Sequence, residues 1–477
     1  MSKKNLKLTP PESKIYSTLL KNMGFSPTND QDWLFVVLSK FFLSHKPNCS
    51  LILSGYAGTG KTTCLNSIVK SSEKMGLKPI LLAPTGRAAK VMSHYTKTPA
   101  HTIHKRIYKK STTKGKVNFI LTEHRIKNAL FIVDEASMIS AENSMGVNLL
   151  DDLIEHVYSV ESAKLILVGD EAQLPPVNSV KSPALDLNFM KSTYHMTAFQ
   201  VRLREVVRQS AESGILNEAT KLRGLLESAE PDFPQLENHV DFQCIDFMDF
   251  QEYLETSISE NGIQNTLVIT RSNMMANQFN DQIRIRSLYM EEEISVGDLV
   301  MITKNNYYWS EKNRSSLTFI ANGDVAEVVD IKREEKLHGF RFATLRIKFP
   351  DYEKIFPLEV LANLDSIHVN APSLSSQEIN KLYNELLVEF ADENNPKRKV
   401  MIDPHFNALQ LKFAYAITCH KSQGGQWDTV FIDGSGLRNM ENKIEIIRWL
   451  YTAITRAIKK VYLVNFPEEF MSQKTPH

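Results

Sequence analysis

Cysteine is scarce and scattered. Four occur in 477 residues, Cys49, Cys64, Cys244 and Cys419, and no two stand at a metal-ligand spacing. Neither a zinc module nor a disulfide framework is expected, and isolated thiols point to a reducing compartment. No apolar stretch approaches the ~20 residues of a membrane helix, and the basic N-terminus MSKKNLKLTPPESK has no apolar signal-peptide core. A cytoplasmic protein with no membrane contact is the expectation. An excess of one charge is also missing. The net charge is +1, so no global field draws the chain to a polyanion, and any such site has to be a local patch. There is no internal repeat and no long low-complexity segment. What remains is ordinary globular composition with room for about three domains.

Against that background, short runs apolar throughout stand out: SLILSG (50–55), PILLAPT (79–85), ALFIVDE (129–135) and KLILVGD (164–170). Strands apolar on both faces belong to buried parallel sheets, and the helical-looking segments between them complete an α/β pattern. A second set, TLVITRS (266–272), QLKFAYAIT (410–418), DTVFIDG (428–434) and KVYLVNF (460–466), reads as a second α/β unit. The stretch inside it alternates instead. In TLRIKF (344–349), Leu345, Ile347 and Phe349 face one way and Arg346 and Lys348 the other, and Asn322-Gly323 offers a turn. This predicts antiparallel, half-buried strands and a small inserted β-barrel. Residues 375–390 switch to a helical period and read as an excursion from the barrel. The cation-rich stretch 105–127, with a turn at Lys114-Gly115-Lys116, reads as a small hairpin on the first unit.

Chemistry gathers at the strand ends, where ligands bind in open α/β sheets. SGYAGTGKTT (54–63) is a phosphate-binding loop between a strand and a helix. Gly58, Thr59, Gly60, Lys61, Thr62 and Thr63 form the cradle: backbone N–H groups and a helix N-terminus close on phosphate oxygens. Lys61 would reach the β/γ-phosphates and Thr62 would ligate Mg²⁺, so a nucleoside triphosphate and Mg²⁺ are the expected ligands. In FIVDEAS (131–137), Asp134 is placed to hold Mg²⁺ and Glu135 to orient and deprotonate the attacking water. In VGDEAQLPPV (168–177), the Gln173 amide can touch both γ-phosphate and water.

The order of GYAGTGKTT, APTGRAAKVM (83–92), VDEAS, GDEAQLPPV, LREVVRQ (203–209), CHKSQGGQWDTV (419–430) and LYTAITRA (450–457) resembles the superfamily 1 helicases. The similarity is greatest to the 1B branch, the RecD-like and Dda-like DNA helicases. The resemblance implies two RecA-like parallel-sheet domains with ATP between them. It implies a hairpin insertion in the first domain and an SH3-like β-barrel insertion in the second. Residues 1–25 are then an N-terminal extension, 26–200 the first motor domain with 105–127 as its hairpin, 201–295 and 410–477 the second, and 296–409 the barrel. Arg208 and Arg456 match the arginines that meet the γ-phosphate, and Gln31 matches a glutamine that reads adenine.

The same resemblance implies a single-stranded DNA track. Thr85 and Gly86 match a backbone-contacting segment, and Thr102 and His104 match the next. Thr418, His420, Lys421 and Ser422 offer hydroxyl, imidazole and ammonium donors from one loop of the second domain. Phe119 is the candidate wedge that splits a duplex; packing within the hairpin is the alternative. The implied activity is ATP-driven 5′ to 3′ movement and unwinding by a monomer on single-stranded and tailed duplex DNA, with the barrel as the place for a protein partner. A translocase that does not separate strands, an RNA helicase and a nucleotide-gated binding module share most of these motifs.

Overall fold

The computed structural model describes residues 8–113, 116–141, 148–176, 179–207, 213–228, 230–315, 317, 319–350, 352 and 355–472, without the side chains of 110–119 and 439. The chain divides into two compact units. The first comprises Met1–Lys109, Leu121–Asp232 and Ile447–Thr455, and the second Lys110–Ile120, Phe233–Ile446 and Arg456–His477. Residues 201–232, assigned from sequence to the second motor domain, therefore group with the first unit, as does the short segment 447–455.

The first unit is built on strands β1 (Cys49–Gly55), β2 (Lys78–Ala83), β3 (Ala100–Thr102), β6 (Ala129–Val133), β7 (Lys164–Gly169) and β8 (Thr197–Leu203). Their order is β3-β2-β6-β7-β1-β8, and the pairings are parallel. Every residue of β1, β6 and β7 is buried, as their apolar sequences require of strands covered on both faces. The intervening β4 (Tyr108–Thr113) and β5 (Lys116–Leu121) pair with each other as a hairpin, but Lys110–Ile120 groups with the second unit rather than the first, where the sequence reading put it. Helices α1 (Pro10–Met23), α2 (Asn29–Leu43), α3 (Lys61–Lys74), α4 (Gly86–Thr96), α5 (Ile103–Ile107), α6 (Leu149–Tyr158), α7 (Leu187–Tyr194) and α8 (Gly214–Leu226) complete the unit. The caps explain several starts. Thr28 and Gln31 form a capping box on α2, and the hydroxyls of Thr85 and Thr102 cap α4 and α5.

Two histidines fasten the hairpin's exit to α6. His124 Nε2 donates to Val157 O at 2.8 Å, and its Nδ1 accepts from Ile126 N. His156 meets Thr122 O through Nδ1, while its Nε2 is buried without a partner. Burial, with Arg106 and His124 nearby, pushes the His156 pKa down to about 4. Between that value and about 6.5 the unfolded chain binds the proton and the folded chain does not, so stability falls as pH falls through this window. The apparent Tm of the first unit should drop by at least ~3 °C between pH 6.5 and 4. A His156→Phe chain should show a flatter profile in differential scanning calorimetry; an equally steep one would reject the assignment.

The second unit holds a parallel sheet of β9 (Phe242–Cys244), β10 (Thr266–Thr270), β16 (Ala416–Thr418), β17 (Trp427–Asp433) and β18 (Ala457–Val464), in the order β16-β10-β17-β18-β9. Inserted in it, β11 (Leu299–Ile302), β12 (Val325–Leu337), β13 (Phe340–Lys348), β14 (Leu358–Asn363) and β15 (Leu409–Phe413) close a barrel. On β13, Leu345 and Ile347 are buried and Arg346 and Lys348 exposed, as the alternation predicted. Helix Ser376–Glu389 lies where the helical period placed it, opened by a Ser375/Glu378 capping box and packed on the barrel core through Leu382 and Leu386. The fold is thus α/β, with two parallel sheets, a separate two-stranded hairpin of β4 and β5, and a five-stranded barrel inserted in the second unit.

One segment corrects the sequence reading. QLKFAYAIT, read as a single strand of the second α/β unit, is two strands: β15 closes the barrel and β16 edges the parallel sheet. The break falls at Ala414-Tyr415. There the Tyr415 hydroxyl donates to Asp298 Oδ1 at 2.9 Å and accepts from Leu299 N at 3.0 Å. An apolar run carries no mark of where a chain changes sheets.

Candidate nucleotide site and strand track

The phosphate loop leaves β1 between β7 and β8. Gly58 and Gly60 take φ of +74° and +78°, which side-chain-bearing residues rarely adopt, and the second is the N-cap of α3. At Gly60 a Cβ would lie 2.5 Å from Gln31 Nε2. That amide donates to Thr59 O at 3.0 Å, and its oxygen accepts from Thr28 N at 3.0 Å. Gln31 is buried and braces the loop through these bonds. Thr59 is fully buried, with its hydroxyl on Tyr56 O at 2.8 Å, while Thr62 is exposed and Thr63 half-buried on the first turn of α3. Lys61 Nζ donates to Gly55 O at 2.5 Å and Tyr56 O at 2.9 Å, curling over the loop it would share with a phosphate.

Asp134 and Glu135 follow β6. Asp134 accepts from the Tyr95 hydroxyl at 2.8 Å and from Glu135 N at 2.9 Å. Burial raises the Asp134 pKa, and Tyr95, the Glu135 N–H and the Lys61 charge act against that rise. A divalent cation would hold this carboxylate ionised, so Asp134 with the exposed Thr62 hydroxyl fits Mg²⁺. Glu135 sits at φ +50°, in the left-handed region, where a non-glycine residue is strained. The chain therefore turns out of β6 at Glu135 and passes into the short turn Ala136–Met138.

Gln173 is 6% exposed, and its Oε1 is buried without a hydrogen-bond partner. A lone acceptor of this kind at a strand-end loop is one that a ligand or water has to satisfy. Asp170, at the start of that loop, lies 3.8 Å from Lys61 Nζ. Segment Ile447–Thr455 ties the loop down. The Tyr451 hydroxyl donates to Asp170 Oδ2 at 2.7 Å and accepts from Ala57 N of the phosphate loop at 2.8 Å. Thr452 accepts from Leu174 N at 2.8 Å. Tyr95, Asp170, Tyr451 and Thr452 were not singled out from sequence. All four lie within or beside quoted motifs, but no spacing rule marks them as partners. Arg208 lies outside the described residues. Arg456 is buried in the second unit, donating to Gly425 O at 3.3 Å.

The proposed strand contacts fall at strand ends too. Thr85 follows β2 and Thr102 ends β3, adjacent strands with Ala83 opposite Thr102. Each hydroxyl accepts from a helix N–H at 3.2 Å, Ala88 N and Lys105 N, and Gly86 is buried behind the first cap. His104 is half-buried, its ring 5.7 Å from that of Tyr108, and burial lowers its pKa, which favours the neutral imidazole. Phe119 is in β5, but its side chain lies outside the described residues.

In the second unit, Thr418 ends β16 without capping the turn that follows, and His420 is exposed. Lys421 Nζ donates to Asn322 Oδ1 of the barrel at 2.5 Å, and burial lowers its pKa. Ser422 is turned inward, its hydroxyl on Cys419 O at 2.8 Å, which removes it from an outward-facing donor set. Asn273, Asn277 and Lys412 line a small cavity with Thr418 and Lys421. Asn273 and Asn277 were missed because the helix that carries them is remote in sequence from Thr418 and Lys421, and Lys412 because no motif marks its strand.

Two family models match the chain: an AAA domain over residues 43–234 and a UvrD-like helicase C-terminal domain over 413–464. The ATP-dependent RecD2 DNA helicase of Deinococcus radiodurans is 33% identical over 231 residues, covering 46% of this chain and 29% of that protein. The ATP-dependent DNA helicase dda of Enterobacteria phage T4 is 24% identical over 64% of this chain and 67% of its own. A crystal structure of Pif1 helicase from Bacteroides in complex with ADP-AlF3 and ssDNA is 17% identical, with a TM-score of 0.49, over 94% of this chain and 95% of that one. The chain therefore spans less than a third of the RecD2 protein and about two thirds of dda. With an AAA-domain match followed by a UvrD-like helicase C-terminal match, the chain is thus similar to DNA helicases such as RecD2 and dda.

Proposed function

We propose that the chain is an ATP-dependent DNA helicase that tracks 5′ to 3′ along single-stranded DNA and opens tailed duplexes. The observation that carries the ATPase half is the grouping of Lys61, Asp134, strained Glu135 and half-satisfied Gln173 at neighbouring strand ends of one sheet. Lys61 neutralises charge on the phosphates, Glu135 accepts the proton of the attacking water, and Gln173 Oε1 holds that water. Asp134 and Thr62 would hold Mg²⁺, which would supply charge neutralisation to the phosphates. Arg208 and Arg456 are the proposed cations for charge that develops on the transferring phosphoryl group.

The DNA half rests on Thr85 and Thr102 at helix starts, and on Thr418, His420 and Lys421 at the end of β16. Such groups grip backbone without reading sequence. Lys421→Ala should weaken single-strand binding severalfold and reduce the salt dependence by about one ion per complex. An unchanged slope in a fluorescence titration across salt concentrations would remove Lys421 from the track.

The deciding experiment is strand displacement on duplexes with opposite overhangs, in DNA and in RNA. Opening of the 5′-tailed DNA substrate alone is expected. Opening of only the 3′-tailed one rejects the polarity, equal opening of RNA rejects the DNA preference, and ATP turnover with neither opened makes the chain a translocase.

A further inference from the structure

Behind the Gln173 loop lies a cavity of about 420 Å³ within the first unit. Its wall includes Tyr56 of the phosphate loop, Asp170, Gln173, Asn188 and Arg448. Asp170 is 3.8 Å from Lys61 Nζ, and Lys61 donates to Tyr56 O. Tyr56 and Asp170, both within reach of Lys61, therefore also face this cavity.

Three buried polar atoms on residues that line this cavity have no hydrogen-bond partner: Ser137 Oγ, Gln173 Oε1 and Arg448 Nε. Ser137 and Gln173 are 1% and 6% exposed. Arg448 donates from Nη1 to Val180 O at 3.3 Å, and burial lowers its pKa, the mark of an under-compensated cation. The residues that carry these atoms, a hydroxyl, an amide and a guanidinium, line one polar space, and an occupant that both donates and accepts matches them. Protonated inorganic phosphate has both capacities: its P–OH donates, and its other oxygens accept, so it matches the amide of Gln173, the hydroxyl of Ser137 and the guanidinium of Arg448 as a set. The lining carries four carboxylates against three cations. One pair is internally satisfied, with Arg202 and Glu171 at 3.3 Å. A wall that is not net positive does not trap a dianion, so the space suits passage better than storage.

We propose that this cavity is the exit chamber through which inorganic phosphate leaves after hydrolysis, with Gln173 as the residue shared by the reacting and the departing phosphate. This rests on the ATPase reading above. It assigns a step, phosphate release, to residues outside the phosphate loop.

The test uses the full chain with an oligothymidine strand. Chemical-quench flow measures hydrolysis, and a fluorescent phosphate-binding protein measures phosphate appearing in solution. Asn188→Trp, at an exposed rim position, narrows the mouth, and Arg448→Met removes the guanidinium. Both should keep the hydrolysis burst and slow phosphate release about tenfold. Release that keeps pace with the parent in both variants, after a normal burst, overturns the chamber and leaves the ATPase reading standing. A parent chain that forms no ADP overturns both.

Discussion

A Lys61→Ala chain should hydrolyse ATP about 10²–10³-fold more slowly than its parent, the range for loss of one preorganised charge from a phosphoryl or oxyanion site. The ammonium has only carbonyl acceptors in the resting loop, Gly55 O and Tyr56 O, and Asp170 is at the edge of ion-pair range. Those carbonyls belong to a partly open loop, so they can be solvated once the lysine is gone and folding should be little affected. Glu135→Gln tests the other half of the site. It keeps the size and the strained backbone at φ +50° and removes the proton acceptor. Nucleotide binding should survive while turnover falls by a similar or larger factor. Coupled-assay ATPase rates with circular dichroism as a folding control decide both. Retained turnover in the two variants would sink the site.

The second large effect concerns stability. Arg284 and Asp298 are both buried and pair twice, Nε to Oδ1 at 2.8 Å and Nη2 to Oδ2 at 2.9 Å. Ser295 N and the Tyr415 hydroxyl also donate to the carboxylate, and Glu292 O accepts from the guanidinium. Asp298→Ala strands the arginine charge among Phe413, whose ring it covers at 4.2 Å, and the buried barrel edge. The expected cost is about 3–5 kcal/mol. Replacing both partners, Arg284→Met with Asp298→Leu, should cost far less, because no charge is left buried. Denaturant midpoints, with hydrogen exchange at β15 as a local readout, distinguish a pair whose loss is a desolvation problem from one that is merely a contact. Equal losses in the single and double variants would reject this account.

The parts of the molecule that could be read from sequence are those written in consecutive residues. The phosphate loop needs glycines at fixed offsets between a strand and a helix, and β1, Gly58, Gly60 and α3 carry that within a few positions. The buried strands announce themselves because both faces are covered, and β13 because only one is. What the sequence hid depends on distant pieces meeting. Tyr95 finds Asp134 across 39 residues, and Tyr451 finds Asp170 across 281. No local pattern selects a tyrosine for either task. Ser422 looked like an outward donor because its neighbours are, but its hydroxyl turns back onto its own short helix. Gln31 sits where the adenine-reading glutamine was expected, yet its amide is engaged by the phosphate loop. The change of sheet at Ala414-Tyr415 was invisible because the flanking residues are equally apolar on both sides.

That two-residue joint has a consequence for how the chain can vary. An inserted domain held by long linkers can be exchanged, lengthened or lost as a cassette. Here β15 ends in the barrel and β16 begins in the parallel sheet with only Ala414 and Tyr415 between them, and the tyrosine is bonded into the barrel's first strand. An insertion at this point would shift the register of both sheets at once and displace Thr418 and Lys421 with them. The barrel and the strand-end loop are therefore mechanically one piece: length changes should be tolerated in the barrel's far loops and not at this joint.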